Sequence, residues 1–311
     1  MSKSRRPGFA SHVGFVSIVG CPNGGKSTLL NALVGEKIAI TAPQAQTTRT
    51  TIQGVLTTAE AQAVFVDTPG IHKSDTFFNK RMMETVRNAL AGVDLIVFVA
   101  DASRKTTEED SHALSALPPH TKSILVLNKI DRVEDKRLLL PAMDAYLALH
   151  PFAEAVPISA RTGDGVEKLR NLIIQHLPEG ERLFPEDYIT DQPMRFIAAE
   201  LIREQILRAT REEVPHAAAI IVDTWEDSPK LTKIAATIYV ERPGQKTILI
   251  GEKGQMLKKI GTEARKQLEA RLERKVFLSL FVKVKPNWRE DPSFVSAVDW
   301  RSMIGSENSA E

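Results

Sequence analysis

The stretch Gly20-Cys21-Pro22-Asn23-Gly24-Gly25-Lys26-Ser27 matches the phosphate-binding pattern G-x-x-x-x-G-K-[ST]. Residues 15–19 before it are apolar apart from Ser17 and predict a buried strand, and residues 28–34 after it carry apolar side chains at helical spacing. A strand, a glycine-rich turn and a helix start together direct backbone N–H groups and the helix dipole at an anion. We therefore predict a nucleotide-binding site, because a loop merely rich in glycine does not account for Lys26 and Ser27 together.

Within this loop, Lys26 is expected to reach the β- and γ-phosphates of the nucleotide, and the Ser27 hydroxyl is expected to bind Mg²⁺. A second glycine beside Gly25 adds about 1 kcal/mol to the conformational entropy lost when the loop is ordered. Gly24 therefore either weakens nucleotide affinity or is a neutral local variation. The residues predicted to contact the nucleotide phosphates from this region are Gly20, Asn23, Gly24, Gly25, Lys26, Ser27 and Thr28.

The base is selected further along the chain, where Asn128-Lys129-Ile130-Asp131 follows an apolar run. The Asp131 carboxylate can accept both the ring N–H and the exocyclic amine of guanine, whereas adenine offers no such pair of donors on that edge. Asn128 and Lys129 are expected to brace the pocket. Ser159-Ala160 ends a later short strand, and the Ala160 N–H is expected to meet the guanine carbonyl. Together these residues favour GTP over ATP.

Two stretches between these motifs are predicted to sense the γ-phosphate. The apolar run in residues 64–66 delivers Asp67 to the sheet edge, where its carboxylate can hold Mg²⁺ through water. The N–H of Gly70 can contact the γ-phosphate, so that loss of this group would release the loop. Upstream, a hydroxyl in Gln46-Thr47-Thr48-Arg49 can complete the magnesium shell, although a solvated loop is the alternative for these threonines taken alone.

These four stretches resemble translation-factor-type GTPases, in the bacterial group that shares P-N-x-G-K-S and T-T-R. The resemblance implies that Thr48, rather than Thr47, binds magnesium and the γ-phosphate, and that Asn23 binds K⁺. It also implies catalytic roles for Lys26, Thr48 and Gly70. The residue after Gly70 is Ile71, which has no group that can orient the attacking water as a glutamine does in Ras-like enzymes. We therefore expect slow intrinsic hydrolysis, with charge compensation from K⁺.

Length and composition set broader expectations. The chain has 311 residues, which fits two domains, and 42% of them are hydrophobic, as in soluble globular proteins. We expect no transmembrane helix and no signal peptide, because the sequence has no apolar run of spanning length and no apolar segment behind its basic N-terminal residues. The single cysteine, Cys21, fits a reducing cytoplasm.

Strand and helix patterns alternate from about residue 15 to residue 177 and predict an α/β domain with a mostly parallel sheet and flanking helices. A stretch rich in proline and charge follows and predicts a linker. The predicted organisation is an N-terminal tail (1–12), a P-loop GTPase domain (13–180), a linker (181–195), a smaller α+β domain (196–290) and a C-terminal tail (291–311).

In the smaller domain the patterns run helix–strand–strand–helix–helix–strand, with Gly251-Glu252-Lys253-Gly254 between the last two helices. This arrangement resembles the bacterial type (type II) of the K-homology (KH) RNA-binding domain. In that fold the G-x-x-G turn clamps the backbone of about four single-stranded nucleotides. Glycines let the main chain approach phosphate closely, whereas Glu252 within the turn is a mild mismatch that Lys253 offsets.

Charge supports the same interpretation. Residues 242–285 contain 12 basic and 4 acidic side chains, a net charge of +8 in a chain whose total is +2. A solvated helix face accounts for Arg271 and Arg274 but not for basic residues beside a G-x-x-G turn, which are typical of a phosphate-backbone partner. The predicted RNA-contacting residues are Gly251, Glu252, Lys253, Gly254, Lys258, Lys259, Arg265 and Lys283.

Over nearly its whole length the chain is similar to the Era GTPases, most specifically in residues 20–31, 45–49, 67–70, 128–131 and 250–266. The resemblance implies GTP/GDP and Mg²⁺ as ligands and GTP-dependent binding near the 3′ end of 16S ribosomal RNA, as a checkpoint in small-subunit assembly. It also implies a loose association with the inner face of the cytoplasmic membrane. We see no dimerisation signal and expect a monomer. The tail after Trp288 departs from the family pattern.

Two other function classes remain as alternatives. One is a GTPase that acts on a protein or membrane partner, with the C-terminal domain as an interaction surface only. The other, an ATP-using metabolic kinase, is disfavoured by Asp131 and by the lack of an acceptor-site signature. Nucleotide-dependent RNA binding that weakens with salt separates the first alternative from an RNA-binding assembly factor.

Overall fold

The structure is a computed structural model that describes residues 11–42, 44, 47–71 and 76–299. By their contacts these residues form two compact units. The first contains the described residues of 1–39, 48–73 and 83–191, and the second contains those of 40–47, 74–82 and 192–311. Residues 1–10 and 300–311 of the two predicted tails lie outside the described residues, as does Gln46 of the predicted threonine loop.

The first unit is built on a mostly parallel sheet, as predicted. Its strands are β1 (Ser11–Val19), β2 (Ile52–Thr57), β3 (Ala61–Asp67), β4 (Leu95–Asp101), β5 (Ser123–Asn128), β6 (Glu154–Pro157) and the two-residue β7 (Glu179–Gly180). The strand order is β2-β3-β1-β4-β5-β6, and β7 pairs with the start of β1. Strands β3, β1, β4, β5 and β6 are parallel, whereas β2 is antiparallel to β3.

Helices cover both faces of this sheet. They are α1 (Lys26–Val34), α2 (Phe77–Leu90), α3 (Glu108–Ser115), α4 (Leu139–Leu147) and α5 (Val166–His176). Leucines of α1 and α5 pack with Phe65 on one face, whereas Val86 of α2 and Leu114 of α3 pack with Phe98 on the other. Residues buried on both sides of a sheet must be apolar at nearly every position, which explains the unbroken apolar run in β4. The parallel strands therefore end at one edge, where α/β proteins bind ligands.

Residues after β7, which the sequence predicts to be a linker, are fixed to the first unit by one buried side chain. The Gln62 amide oxygen accepts hydrogen bonds from the backbone N–H groups of Leu183 (2.7 Å) and Phe184 (2.9 Å). Its amide nitrogen donates to the Phe184 carbonyl at 2.9 Å. Gln62 is fully buried, so these bonds also satisfy a polar group that would otherwise be costly.

Further along the same segment, the chain runs beside β2, the outer strand of the sheet. The N–H of Val55 donates to the Ile189 carbonyl at 2.8 Å, and the Thr190 hydroxyl donates to the Gln53 carbonyl at 2.7 Å. The first unit accordingly extends to Asp191 rather than to the predicted boundary at residue 180. A local pattern does not reveal this, because the segment is held by backbone bonds to distant residues and has no period of its own.

The second unit has the predicted order of elements. They are α6 (Met194–Ala209), the short α7 (Val214–Ala217), β8 (Ala219–Asp227), β9 (Leu231–Val240), α8 (Pro243–Ile250), α9 (Gln255–Leu272), β10 (Lys275–Val284) and α10 (Pro292–Val298). The sheet order is β10-β9-β8, with β9 parallel to β10 and antiparallel to β8. Ile202 of α6 and Leu268 of α9 pack against Ile234 and Ile238 in the core.

Helix α10 lies within the predicted C-terminal tail, so this part of the tail is structured. Asp291 caps it by accepting from the N–H groups of Ser293 and Phe294. The Phe294 ring contacts Tyr239 of β9, with ring centroids 4.9 Å apart. No helix in the described part of the chain has the length and apolar character needed to cross a membrane.

Trp288 anchors the segment between β10 and α10, and its removal should destabilise the second unit. Its ring is fully buried, packs 5.8 Å from the Phe294 ring, and donates from Nε1 to the Ala217 carbonyl at 2.8 Å. We expect Trp288→Ala to lower the free energy of unfolding by about 3–5 kcal/mol, as for other buried aromatic truncations. Urea denaturation would measure this loss, with hydrogen exchange of β8–β10 amides to localise it.

The matched control is Leu140→Ala, because Leu140 is 68% exposed in the first unit. Its effect should stay within about 0.5 kcal/mol. Equal unfolding free energies for Trp288→Ala and the control would contradict the anchoring role.

Candidate functional site

The phosphate loop lies between β1 and α1. Helix α1 begins at Lys26, directly after Gly25, whose left-handed backbone (φ 98°) suits glycine. A β-carbon at Gly25 would lie only 2.3 Å from Nδ2 of Asn128, so no side chain fits there. The N–H groups at the start of α1, which includes Ser27 and Thr28, have no partner within the helix and suit an anion.

Lys26 is buried beside this helix start. Its Nζ donates to the carbonyl oxygens of Gly20 at 3.1 Å and Cys21 at 3.0 Å. Burial lowers the pKa of Lys26, and the nearby Asp67 carboxylate acts in the opposite direction. The ammonium group is therefore held within the loop, where it can bind phosphate oxygens.

Three buried oxygen-bearing side chains converge next to the loop. The Ser27 hydroxyl lies 2.7 Å from the Thr48 hydroxyl and donates to Oδ2 of Asp67 at 2.8 Å. Thr48 lies 3.2 Å from the same oxygen. Among the described residues, none donates to the buried Oδ1 of Asp67. Burial raises the pKa of Asp67 to about 6, and a bound cation would favour its ionised form.

This donor set fits Mg²⁺, which prefers hard oxygen ligands from one or two carboxylates together with substrate phosphates. Ser27, Thr48 and Asp67 would hold the ion, as the sequence predicts. The structure also distinguishes the two threonines, because the Thr47 hydroxyl donates to the Gln44 carbonyl at 2.9 Å instead. Thr48 is therefore the threonine that joins the cluster.

Gly70 lies directly against the phosphate loop. A β-carbon on Gly70 would be 2.8 Å from the backbone nitrogen of Pro22, so any side chain would push the two loops apart. The next residue, Ile71, is buried among Val19 and Val86 of the hydrophobic core. Its side chain faces the core, which agrees with the expectation that it does not orient a water molecule.

Asn128, at the end of β5, joins three loops with one buried amide. Its Nδ2 donates to the Gly24 carbonyl at 2.9 Å. Its Oδ1 accepts from the N–H groups of Lys129 at 2.8 Å and Ala160 at 3.0 Å. The Ala160 N–H was expected to face the guanine carbonyl, but in the structure it donates to Asn128, because a buried amide oxygen requires a donor.

Lys129 contacts a carboxylate that the sequence analysis missed. Its Nζ donates to Oδ2 of Asp101 at 2.6 Å and to the Asn23 carbonyl. Burial acts to raise the pKa of Asp101, but hydrogen bonds from Lys129 and Ser103 hold it below its usual value. Asp101 ends β4, the parallel neighbour of β5, and β5 leads into the Asn128–Asp131 motif. A carboxylate at this position is the sequence signal that could have identified the partner of Lys129.

Asp131 has its two carboxylate oxygens oriented by different donors. The Ser159 hydroxyl donates to Oδ1 at 2.8 Å, and Nη2 of Arg161 donates to Oδ2 at 2.7 Å. The hydrogen bond from Ser159 and the charge of Arg161 lower the pKa of Asp131, so it remains an acceptor at neutral pH. Arg161 was also missed, although it directly follows the Ser159-Ala160 pair.

In the second unit the G-x-x-G turn is formed and open. Helix α8 ends at Ile250 and is followed by Gly251 (φ 70°), residues 252–254 make a 3₁₀ turn, and α9 begins after Gly254 (φ 77°). Among the described residues, none beyond the chain neighbours of Gly254 has an atom within 4 Å of the position that a β-carbon there would occupy. Glu252 and Lys253 are exposed at the turn. The main chain here is accessible to a polynucleotide backbone.

The predicted basic residues fall in two places. Lys258, Lys259 and Arg265 are exposed on α9, which starts at the turn. Lys283 lies instead on β10, on the side of the strand that alternates away from the residues packed in the core. The structure therefore places Lys258 and Lys259 near the start of the helix that follows the turn, Arg265 farther along that helix, and Lys283 on a different element.

Comparisons with known proteins agree with both units. Residues 15–129 match the family model described as 50S ribosome-binding GTPase, and residues 213–289 match the KH domain model. The chain is 50% identical over 281 residues to GTPase Era of Geobacter metallireducens, covering 89% of this chain and 94% of that protein. It is 49% identical over 284 residues to GTPase Era of Crocosphaera subtropica, covering 91% and 90%.

Two solved structures are also similar. One is a point variant of Aquifex aeolicus Era bound to GDP and AlF₄⁻, with a TM-score of 0.90 and 42% identity over 93% of this chain and 99% of that one. The other is Era in complex with MgGDPNP and nucleotides 1506–1542 of 16S ribosomal RNA, with the same score, identity and coverage.

The position of Asp131 predicts how base preference can be changed. Asp131→Asn replaces one acceptor oxygen with an NH₂ donor, so a guanine amine would face a donor and GTP affinity should fall about 100-fold or more. Xanthine carries a carbonyl where guanine carries that amine, so the variant should bind XTP better than the wild-type protein does. Equilibrium titration with fluorescent GTP and XTP analogues would measure both affinities.

Asp135→Asn is the matched control. It makes the same chemical change in the same loop region, but the Asp135 carboxylate accepts hydrogen bonds from Arg137 and is not assigned to the base. It should keep the wild-type preference. An Asp131→Asn protein that still prefers GTP would contradict the assignment of this carboxylate to the base.

Proposed function

Because this chain belongs to the Era family of GTPases, we propose that it is a GTP-hydrolysing switch that binds the 3′ end of 16S ribosomal RNA during assembly and maturation of the small (30S) ribosomal subunit. The observation that carries the proposal is the convergence of Ser27, Thr48 and Asp67 in a chain whose second unit exposes an open G-x-x-G turn. The cluster of oxygen-bearing side chains suits the magnesium complex of a nucleoside triphosphate, and the open turn suits single-stranded RNA.

Hydrolysis would proceed by attack of water on the γ-phosphorus of GTP, with cleavage of the bond to the β–γ bridging oxygen. Lys26 and the N–H groups at the start of α1 stabilise the negative charge that develops on the phosphate oxygens. When bound, Mg²⁺ at Ser27, Thr48 and Asp67 supplies further charge neutralisation. Ile71, directly after Gly70, is buried and apolar and cannot orient the water, so we expect the intrinsic rate to be slow.

The γ-phosphate also provides the switch. Thr48 and the N–H of Gly70 would contact this group, so its loss would free both loops. The guanine base is held by Asp131, with Asn128, Lys129 and Ser159 orienting the pocket. In the second unit, the main chain of Gly251–Gly254 would grip the RNA backbone, and Lys253, Lys258, Lys259 and Arg265 would neutralise its phosphates.

We further propose that the protein acts as a monomer in the cytoplasm, with a loose association with the inner face of the membrane. We also propose that residues 13–180 are the GTPase domain and residues 196–290 the KH domain, with the linker segment through Asp191 packed as part of the first compact unit. The similar relatives are named GTPase Era, and the exposed Lys258, Lys259 and Arg265 of α9 support contact with a polyanion.

The RNA step can be tested with a short single strand from the 16S 3′ end. Affinity should differ between GDP and a nonhydrolysable GTP analogue, and it should fall as the salt concentration rises. Gly254→Asp should abolish binding, because it adds a negative charge where the main chain approaches phosphate. Fluorescence anisotropy at two salt concentrations would measure all three effects.

Gly92→Asp is a matched control for this variant. Gly92 also has a left-handed backbone (φ 74°), and among the described residues none beyond its chain neighbours has an atom within 4 Å of its hypothetical β-carbon. Gly92→Asp therefore introduces the same kind of backbone strain and the same charge as Gly254→Asp. RNA binding that is insensitive to Gly254→Asp would favour the alternative in which the second unit contacts a protein or membrane partner.

The assignment of K⁺ to Asn23 predicts a dependence on the monovalent cation. GTP hydrolysis should be slower in NaCl than in KCl, because K⁺ would compensate charge in a site where Ile71 stands in place of a glutamine. Asn23→Gly keeps the left-handed backbone (φ 63°) but removes the side-chain oxygen, so its rate should be low in both salts. Equal wild-type rates in the two salts would remove Asn23 from this role.

A further inference from the structure

The outward face of β10 carries two exposed aromatic rings. Residues at even positions from Val276 to Val284 pack in the core of the second unit. Side chains alternate along a strand, so the odd positions lie on the opposite face. On that face Phe277 is 59% exposed and Phe281 is 55% exposed. Together with Lys275, Ser279 and Lys283, they form what we call the β10 platform.

Small residues lie between the two rings. Ser279 separates them on β10, and Ala235 and Thr237 lie opposite Ser279 and Phe281 on β9. The two rings are about 13 Å apart along the strand. The next ring on this face, Tyr239 opposite Lys283, is packed against Phe294. Two large apolar side chains left in solvent on one strand are a marker of a binding surface, unlike a single exposed leucine.

Positive charge follows the same strand. Lys275 and Lys283 are exposed at its two ends, and Lys233 lies opposite Phe277 on β9. The acidic residues of this sheet lie on β8, where Glu226 is 3.9 Å from Lys233. A polyanion would therefore be attracted along β10, whereas it would be repelled from the β8 side.

The platform is also continuous with the proposed RNA-binding turn. Strand β10 is the edge strand of its sheet and contacts both α8 and α9, the helices that flank the G-x-x-G turn. Gly261 of α9 packs close to Leu280, with its hypothetical β-carbon 3.3 Å from Leu280 Cδ1. Strand β10 therefore has the helices on one of its faces and the two phenylalanine rings on the other.

We propose that the β10 platform is a second single-stranded RNA-binding surface, which receives the strand after it leaves the G-x-x-G turn. The Phe277 and Phe281 rings stack on unpaired bases, and Lys275 and Lys283 bind the flanking phosphates. Aromatic rings and basic residues on an open sheet are a general means of holding unpaired bases with little sequence preference. This inference rests on the proposed RNA-binding function.

The test compares two labelled RNAs, one of about four nucleotides, which fills the turn alone, and one about three times that length. The exposed positions of both rings should allow the double variant Phe277→Ala/Phe281→Ala to fold normally. It should weaken binding of the long RNA by about 30-fold or more, since each stacked base adds at least about fivefold. Binding of the short RNA should not change.

Two further variants identify the kind of contact. Phe277→Tyr/Phe281→Tyr keeps aromatic rings and should bind the long RNA like the wild type. Phe277→Leu/Phe281→Leu keeps apolar bulk without a ring and should bind as weakly as the alanine variant. Leu138→Ala/Leu140→Ala is the control, because these leucines are 59% and 68% exposed in the first unit, and it should leave both RNAs unaffected.

Unchanged binding of the long RNA by the alanine variant would overturn the platform, and so would an equal loss for both RNAs. Wild-type binding of the long RNA by the leucine variant would also overturn it, because apolar bulk rather than ring stacking on bases would then hold the RNA. A Gly254→Asp protein that keeps its affinity for the short RNA would instead contradict the proposed function, so the two failures are distinguishable.

Discussion

The nucleotide site depends on the buried amide of Asn128. One side chain accepts hydrogen bonds from the loop that binds the base and from the Ser159-Ala160 turn, and it donates to the phosphate loop. Because the amide is buried, each of these bonds is favoured over any arrangement that leaves it unpaired. The Asn128–Asp131 loop and the phosphate loop are therefore held at a fixed distance from each other. Binding the base and the phosphates of one nucleotide at the same time requires such a fixed distance.

Much of this site could be predicted from local sequence. Residues 20–27 and 128–131 are short motifs whose backbone conformation depends on their own glycines and on the strands before them. The G-x-x-G turn is similar, since Gly251 and Gly254 adopt left-handed conformations that the sequence itself permits. From sequence, only the resemblance to the GTPase family favoured Thr48 over Thr47 as the magnesium ligand, because both hydroxyls suit a magnesium shell. The path of the loop decides which hydroxyl lies near Asp67.

Other features were not predictable because they arise from contacts between distant residues. Asp101 and Lys129 are far apart in sequence and meet because β4 and β5 are adjacent and parallel. The attachment of Leu183 and Phe184 depends on Gln62, a buried polar residue at the start of β3. Local periodicity carries no information about such partners, so the segment after residue 180 had the composition of a linker although it is bonded along its length.

That attachment has a consequence for the sheet itself. An outer strand with unpaired N–H and C=O groups is a template for adding a foreign strand, and proteins commonly cover it. Here Ile189 and Thr190 bond to β2, so the exposed rim is protected by residues that follow the last helix of the first unit. A fragment truncated at residue 180 would uncover this rim and invite self-association, whereas one extended through Asp191 would retain its own cover.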